Sequence, residues 1–204
     1  MSLEFISNEH MLFPTPFWQI QVKGVDNEAI KEYCYNLKEN TEGVTISNRG
    51  GWHSKEIIEP LPESLENLFV NFEAFTNDYC AQITGLNQLR LGNFWININS
   101  KYDYNRTHDH QNSILSGVYY VDAEGDDVGA FVAERDDTAE FFLGSYKNQT
   151  PFTGTSFSIV PLTGFAFLMP SWVKHSVEQN LTDRDRISIA FNLIRHDIEE
   201  KPYG

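Results

Sequence analysis

The hydrophobic pattern changes period near residue 89, and this limits the fold more than any other feature of the chain. Before that point apolar residues recur at three- and four-residue steps; after it they alternate. The stretch DNEAIKEYCYNLKEN opens with a capping Asp26 and places Ile30, Tyr33, Cys34 and Leu37 on one helical face. A longer helix is predicted in LPESLENLFVNFEAFTNDYCAQI, with Leu65, Leu68, Phe69, Phe72, Phe75, Tyr79 and Ile83 facing the core. Pro62 falls in its first turn and Gly85 at its end. Ahead of both helices, Pro14 and Pro16 hold an extended lead-in to the alternating PFWQIQV. TEGVTISNRGGWHS reads as a polar loop. From residue 89 the segments LRLGNFWININ, SILSGVYYV, GAFVAER, SFSIVPL, GFAFLMP, HSVEQN and RISIAFNLI read as strands separated by turn signals. The chain is therefore expected to be mainly β with N-terminal helices. We read it as one domain over 1–204: strand and helices in 1–88, then a β core in 89–196 forming a sandwich or jelly roll, helices packed on one sheet.

Composition narrows the partners. Twenty-nine acidic residues against 15 basic ones leave a net charge of −14, which argues against nucleic acid. Cys34 and Cys80 have no paired or metal-ligand spacing and are expected to be buried thiols in a reducing compartment. No stretch approaches the roughly eighteen apolar residues of a membrane span, and the N-terminus lacks a basic segment followed by an apolar run. The expectation is a cytoplasmic protein with no membrane partner. Exposed strand edges leave a homodimer open.

The chemistry is concentrated in a few residues of the β region. In NRTHDHQNSILSGVYYV, His108 and His110 stand two apart, so on extended backbone both rings face one side and Asp109 faces the other. His175, in MPSWVKHSVEQN, can join them from a distant strand, and three imidazoles on one face leave open positions on a metal such as iron. Three of the six histidines enter this arrangement. Of the others, His53 reads as structural or substrate-side, and His10 and His196 as solvated. Asp103 reaches the site only if its loop folds back. Trp172 is expected to pack beneath His175. Arg186 lies on the next strand with Ser188 on its face, and a guanidinium matches a carboxylate in two-pronged fashion. Arg184 and Arg195 are weaker candidates. Tyr120 and Tyr119 point to opposite faces, so one can meet a ligand while the other packs. Asn93, Trp95, Asn97 and Asn99 share a face, and buried asparagines there call for polar partners.

With those residues in view, the chain resembles the 2-oxoglutarate- and iron(II)-dependent oxygenases. It is similar in particular to a family of oxygenases running from an FPTP-like start to a C-terminal RISIAFN strand. LFPTPFW, SNRGGWHS, HDHQNSILSGVYYV, MPSWVKHSVEQN and RISIAFN carry the likeness along nearly the whole chain. The resemblance implies a double-stranded β-helix, a cupin-like jelly roll. It implies iron(II) held by His108 and His175, with His110 where the wider superfamily has aspartate; HxH is usual in the narrower family. It implies 2-oxoglutarate held by Arg186 and Ser188, with Tyr120 at a cosubstrate-binding position; Asn97 completes the expected slot. Dioxygen is then the oxidant, and hydroxylation of a small-molecule or peptide substrate the outcome. Two other classes stay open on the residues alone. One is a three-histidine metal dioxygenase or cupin-type isomerase without 2-oxoglutarate. The other is a non-catalytic jelly-roll binding domain.

Overall fold

The computed structural model describes residues 7–8, 11–55, 60–137, 150 and 152–195. Its strands are β1 (Trp18–Gln21), β2 (Asn48–Arg49), β3 (Trp52–His53), β4 (Leu89–Asn99), β5 (Tyr104–His108), β6 (Leu115–Asp122), β7 (Phe131–Glu134), β8 (Ser156–Ile159), β9 (Phe165–Pro170), β10 (His175–Val177) and β11 (Arg186–Arg195). They form a major sheet ordered β1-β9-β6-β11-β4-β3 and a minor sheet ordered β2-β5-β10-β7-β8. Two facing antiparallel sheets of this order are the jelly roll the alternation predicts.

Helices cover the outer face of the major sheet. Helix α1 (Asn27–Asn40) starts where Asp26 accepts the Ala29 N–H at 3.1 Å. Helix α2 (Glu63–Phe75) lays Leu65, Leu68, Phe69 and Phe72 on the sheet. Phe69 packs on Phe94 with ring centroids 4.5 Å apart, and Phe72 on Phe191 at 4.9 Å. Burying each such side chain contributes roughly 1.5–3 kcal/mol. Gly117 lies under this contact; a Cβ there would run into the Phe191 ring.

Three local expectations are corrected. The long helix is not continuous: a π turn (Thr76–Cys80) separates α2 from α3 (Ala81–Thr84). The wider turn rotates the apolar stripe, so Thr76 and Cys80 are buried while Tyr79 is 52% and Ile83 62% exposed. Pro62 stands one residue before α2, at the capping position, with ψ of 145°. The polar loop around Gly50 contains β2 and β3. Gly50 and Gly51, at φ of 67° and 65°, let the chain cross from the minor sheet to the major one within two residues.

The central pair β4–β11 shows the two faces. Ile187, Ile189 and Phe191 oppose Ile98, Ile96 and Phe94 on the outer, helix-covered side. On the inner side Arg186 opposes Asn99, Ser188 opposes Asn97 and Tyr120, and Asn192 opposes Asn93 and Ser116. Next to this polar strip a second apolar cluster, including Val118, Tyr120, Phe131, Phe167 and Met169, holds the sheets together. The strip is left as one wall of a cleft.

Candidate metal centre and anion slot

His108 and His175 are direct partners across β5 and β10, so sheet register alone sets their imidazoles side by side, with ring centroids 4.4 Å apart. His110 lies just past the end of β5 and stacks on His175 at 5.1 Å. One ring nitrogen from each of the three lies within 4.8 Å of the others, and Nε2 of His110 is 3.3 Å from Nε2 of His175. The expected trio is therefore assembled, although one member sits off the strand.

Hydrogen bonds fix the tautomers of two rings. Nδ1 of His108 is 2.7 Å from the Arg106 carbonyl, and Nδ1 of His175 is 2.9 Å from that of Val173. A carbonyl only accepts, so each Nδ1 carries the proton and each Nε2 presents a lone pair. Burial among like neighbours keeps the rings neutral. Loss of solvent, then the proximity of His175 and His108, pushes His110 down to about 2. Loss of solvent, then His108, pushes His175 down to about 4; His108 is lowered chiefly by burial. Three neutral nitrogen donors converging on one point suit a borderline divalent ion such as iron(II). Phe131 stacks on His175 at 5.2 Å, and Trp95 lies between His110 at 5.4 Å and His53 at 5.8 Å.

The same cleft contains Arg186, Ser188, Tyr120 and Asn97, and has about 500 Å³ of empty space, part of it open to solvent. Arg186 is 1% exposed. Its Nη1 donates to the Val128 carbonyl at 2.5 Å and the Glu178 carbonyl at 3.0 Å, while Nη2 has no partner. The Tyr120 hydroxyl, Asn97 Oδ1 and Asn99 Nδ2 are buried and unpartnered too. Burial raises the Tyr120 phenol, so it remains a donor. Burial also lowers the Arg186 guanidinium, against the pull of Tyr120 and Asp103, but a guanidinium keeps its proton in a protein. Orphaned buried groups are costly. Grouped around a cation in an open cleft, they form a ready receptor for a carboxylate. Tyr119 takes the opposite role, donating to Asn27 Oδ1 at 2.7 Å from the outer face.

Other expected residues fall elsewhere. Trp172 is 63% exposed rather than beneath His175, because the turn after β9 buries Val173 in that place. Asp103 is absent from the cleft lining; its Oδ2 accepts the Ser100 N–H at 2.8 Å and closes the β4–β5 turn. Arg184 pairs with Glu124 at 3.0 Å, and Arg195 is exposed at the end of β11. His53 is buried with Nδ1 2.7 Å from the Ser54 carbonyl. His10 and His196 lie outside the described residues. Residues 56–59, 138–149 and 151 lie outside the described residues too; Ser47 reaches the cleft. Gly129 is a functional residue that sequence reasoning misses. At φ of 83°, a Cβ there would stand 2.7 Å from Arg186 Nη1 and 2.6 Å from two carbonyls, so only glycine leaves the guanidinium its place. The dipeptide VG after EGDD is its only mark in the sequence.

Fold and site together define a double-stranded β-helix whose cleft brings three imidazoles able to hold a metal ion beside a buried guanidinium. Residues 93–192, all but the ends of the β core, match the sequence model of the family described as "Putative 2OG-Fe(II) oxygenase". Over that stretch, just under half of its length, the chain is similar to this oxygenase family. Solved structures agree on the fold. A Pseudomonas putida prolyl-4-hydroxylase is 15% identical, with 88% of this chain and 92% of that one covered and a TM-score of 0.64. The viral collagen prolyl hydroxylase of Paramecium Bursaria Chlorella virus-1, in a 2OG complex, is 9% identical over 87% and 94%, with a TM-score of 0.58. HygX from Streptomyces hygroscopicus, with nickel, 2-oxoglutarate and hygromycin B bound, is 14% identical over 91% and 85%, with a TM-score of 0.57. No curated protein matches the sequence.

Proposed function

We propose that this chain oxygenates an organic substrate using iron(II), 2-oxoglutarate and dioxygen. His108, His110 and His175 hold the iron. Arg186, Ser188, Tyr120 and Asn97 receive the far carboxylate of 2-oxoglutarate. Bound together, iron and 2-oxoglutarate supply oxygen activation coupled to decarboxylation of the keto acid to succinate and carbon dioxide, with hydroxylation of a substrate C–H bond. The protein's own part is positional. Backbone carbonyls hold the Nδ1 protons of His108 and His175, so their lone pairs face the ion. Phe131 and Trp95 flank the imidazoles and limit water around them. Val128 and Glu178 hold one guanidinium nitrogen and leave the other to the cosubstrate.

The observation that carries this reading is the unpartnered Nη2 of a fully buried Arg186 in the cleft that also holds the three imidazoles. A buried cation with a free nitrogen beside three convergent imidazoles suits an anionic cosubstrate that shares the site with a metal, as 2-oxoglutarate does. The substrate class favoured is a small molecule or a peptide side chain. Two buried free thiols fit a reducing, cytoplasmic setting; among the described residues no helix is long and apolar enough to cross a membrane. The test is an anaerobic titration with iron(II) followed by 2-oxoglutarate. A visible charge-transfer band is expected only when both are present. Arg186→Met should weaken 2-oxoglutarate binding about a hundredfold, the scale of two lost charge-assisted hydrogen bonds, without changing iron affinity. No band in the native protein, or 2-oxoglutarate binding indifferent to Arg186, overturns the proposal.

A further inference from the structure

We infer that a one-way chain of hydrogen-bonded side chains, running from Ser171 through Ser116 and Asn192 to Asn93, sets the position of His110. The inference rests on the metal role proposed above. His108 and His175 need no such help, because they are register partners. His110 has no ladder bond. Its backbone N–H donates instead to the Ser171 carbonyl at 3.0 Å. Two residues further along the same turn, Val173 supplies the carbonyl that holds Nδ1 of His175. The turn at residues 170–174 thus touches two of the three ligands, and its angle decides where their nitrogens converge.

Two bonds at Ser171 tie that turn to the major sheet. One is the backbone bond from Ser171 N–H to the Ile114 carbonyl, at 3.1 Å. The other is the Ser171 hydroxyl, 2.7 Å from Ser116 Oγ. Chemistry sets the direction of the chain. Asn192 Oδ1 can only accept, so the Ser116 hydroxyl donates to it at 2.7 Å. Its one proton is then used, so Ser116 accepts from Ser171. Asn192 Nδ2 in turn donates to Asn93 Oδ1 at 2.9 Å. Ser116, Asn192 and Asn93 form one row across β6, β11 and β4. Ser171, Ser116 and Asn192 are all buried, and Ser116 lines the cleft. The buried links from Ser171 to Asn192 are satisfied by one another, so each hydroxyl and amide keeps one orientation. The turn is thereby anchored to the most extensively paired part of the major sheet.

These are positioning residues, so the readout is the metal itself. Cobalt(II) is titrated into the native protein and into Ser171→Ala, Ser171→Thr and Ile189→Val, following affinity and the visible ligand-field spectrum. Ser171→Ala keeps the carbonyl on His110 but frees the turn, and should bind cobalt about tenfold more weakly, the lower end of what loosening a ligand's support costs, with a shifted spectrum. Ser171→Thr, which keeps the hydroxyl, should recover both. Ile189→Val, a mild core change on the outer face, should lower stability and leave the spectrum alone. A cobalt affinity and spectrum of Ser171→Ala identical to the native protein's overturns the inference. If Ser171→Ala does not fold, Asn93→Ala at the partly exposed end takes its place: a smaller spectral shift of the same kind supports the inference, and none overturns it. Failure of the native protein to bind cobalt or iron removes the metal reading and the inference together, whereas native binding with an indifferent Ser171→Ala removes the inference alone.

Discussion

The two ends of the cleft are built by one device and put to opposite uses. At the metal end, backbone carbonyls of Arg106 and Val173 occupy Nδ1 of two histidines and leave Nε2 facing inward. At the anion end, carbonyls of Val128 and Glu178 occupy Nη1 of Arg186 and leave Nη2 facing inward. The metal end offers lone pairs and is neutral until a cation arrives. The anion end contains a cation from the start. The ends also differ in support. The imidazoles stand on short strands of the minor sheet, where the β10–β5 register slips between His175 and Val177. Arg186 begins the longest ladder of the major sheet. Orientation by main chain is shared, and the length of the supporting ladder is not.

Cutting the metal end should have the largest effect. His175→Ala removes one donor and unstacks both His110 and Phe131. Iron affinity should fall at least a hundredfold by calorimetry and turnover should become undetectable, while 2-oxoglutarate alone still binds Arg186. Equal loss at both ends would show that the two are not separable. Gly129→Ala probes the anion end. A side chain at φ of 83° that also crowds Nη1 should destabilise the fold by about 1–2 kcal/mol and raise the KM for 2-oxoglutarate about tenfold. An unchanged iron affinity, measured in the same preparation, would sharpen the distinction.

The third effect concerns pH. The metal-end imidazoles titrate well below the ordinary histidine value, His175 near 4 and His110 near 2. Between about pH 6.5 and 4 the unfolded chain takes up protons that the folded one refuses. Metal-free protein should therefore be most stable above pH 6.5 and lose stability as pH falls, by at most about 1.4 kcal/mol per unit for each such ring. Thermal melts of the metal-free protein from pH 7.5 to 5 measure the slope, and His175→Ala should make it shallower. A flat profile would mean the rings take up protons in the fold as readily as in the unfolded chain, so that burial does not hold the metal end neutral.

The parts of the site legible in the sequence are those that period two dictates. Alternation places Arg186 with Ser188 and Tyr120 opposite Tyr119, because facing on a strand is a local property; His110, just past the end of β5, is instead held by the turn at Ser171. The hidden parts depend on departures from regular geometry. A helical count assigns Tyr79 and Ile83 to the core because it runs straight through a π turn that no residue type announces. Strands β2 and β3 are two residues long and have no period to detect. Trp172 has the size of a core residue, but a tight turn gives the interior to Val173. Gly129 acts through carbonyls far away in sequence, so its role needs the fold.

The hop between β2 and β3 has a mechanical consequence. Asn48 and Arg49 are stitched to β5, Trp52 and His53 to β4, and only Gly50 and Gly51 lie between. The three steps from Arg49 to Trp52 reach roughly 10 Å at full stretch. This edge of the barrel is therefore a short tether: the walls cannot be pried apart there by a hinge, and admitting a bulky guest on that side requires one of the two tiny strands to unzip.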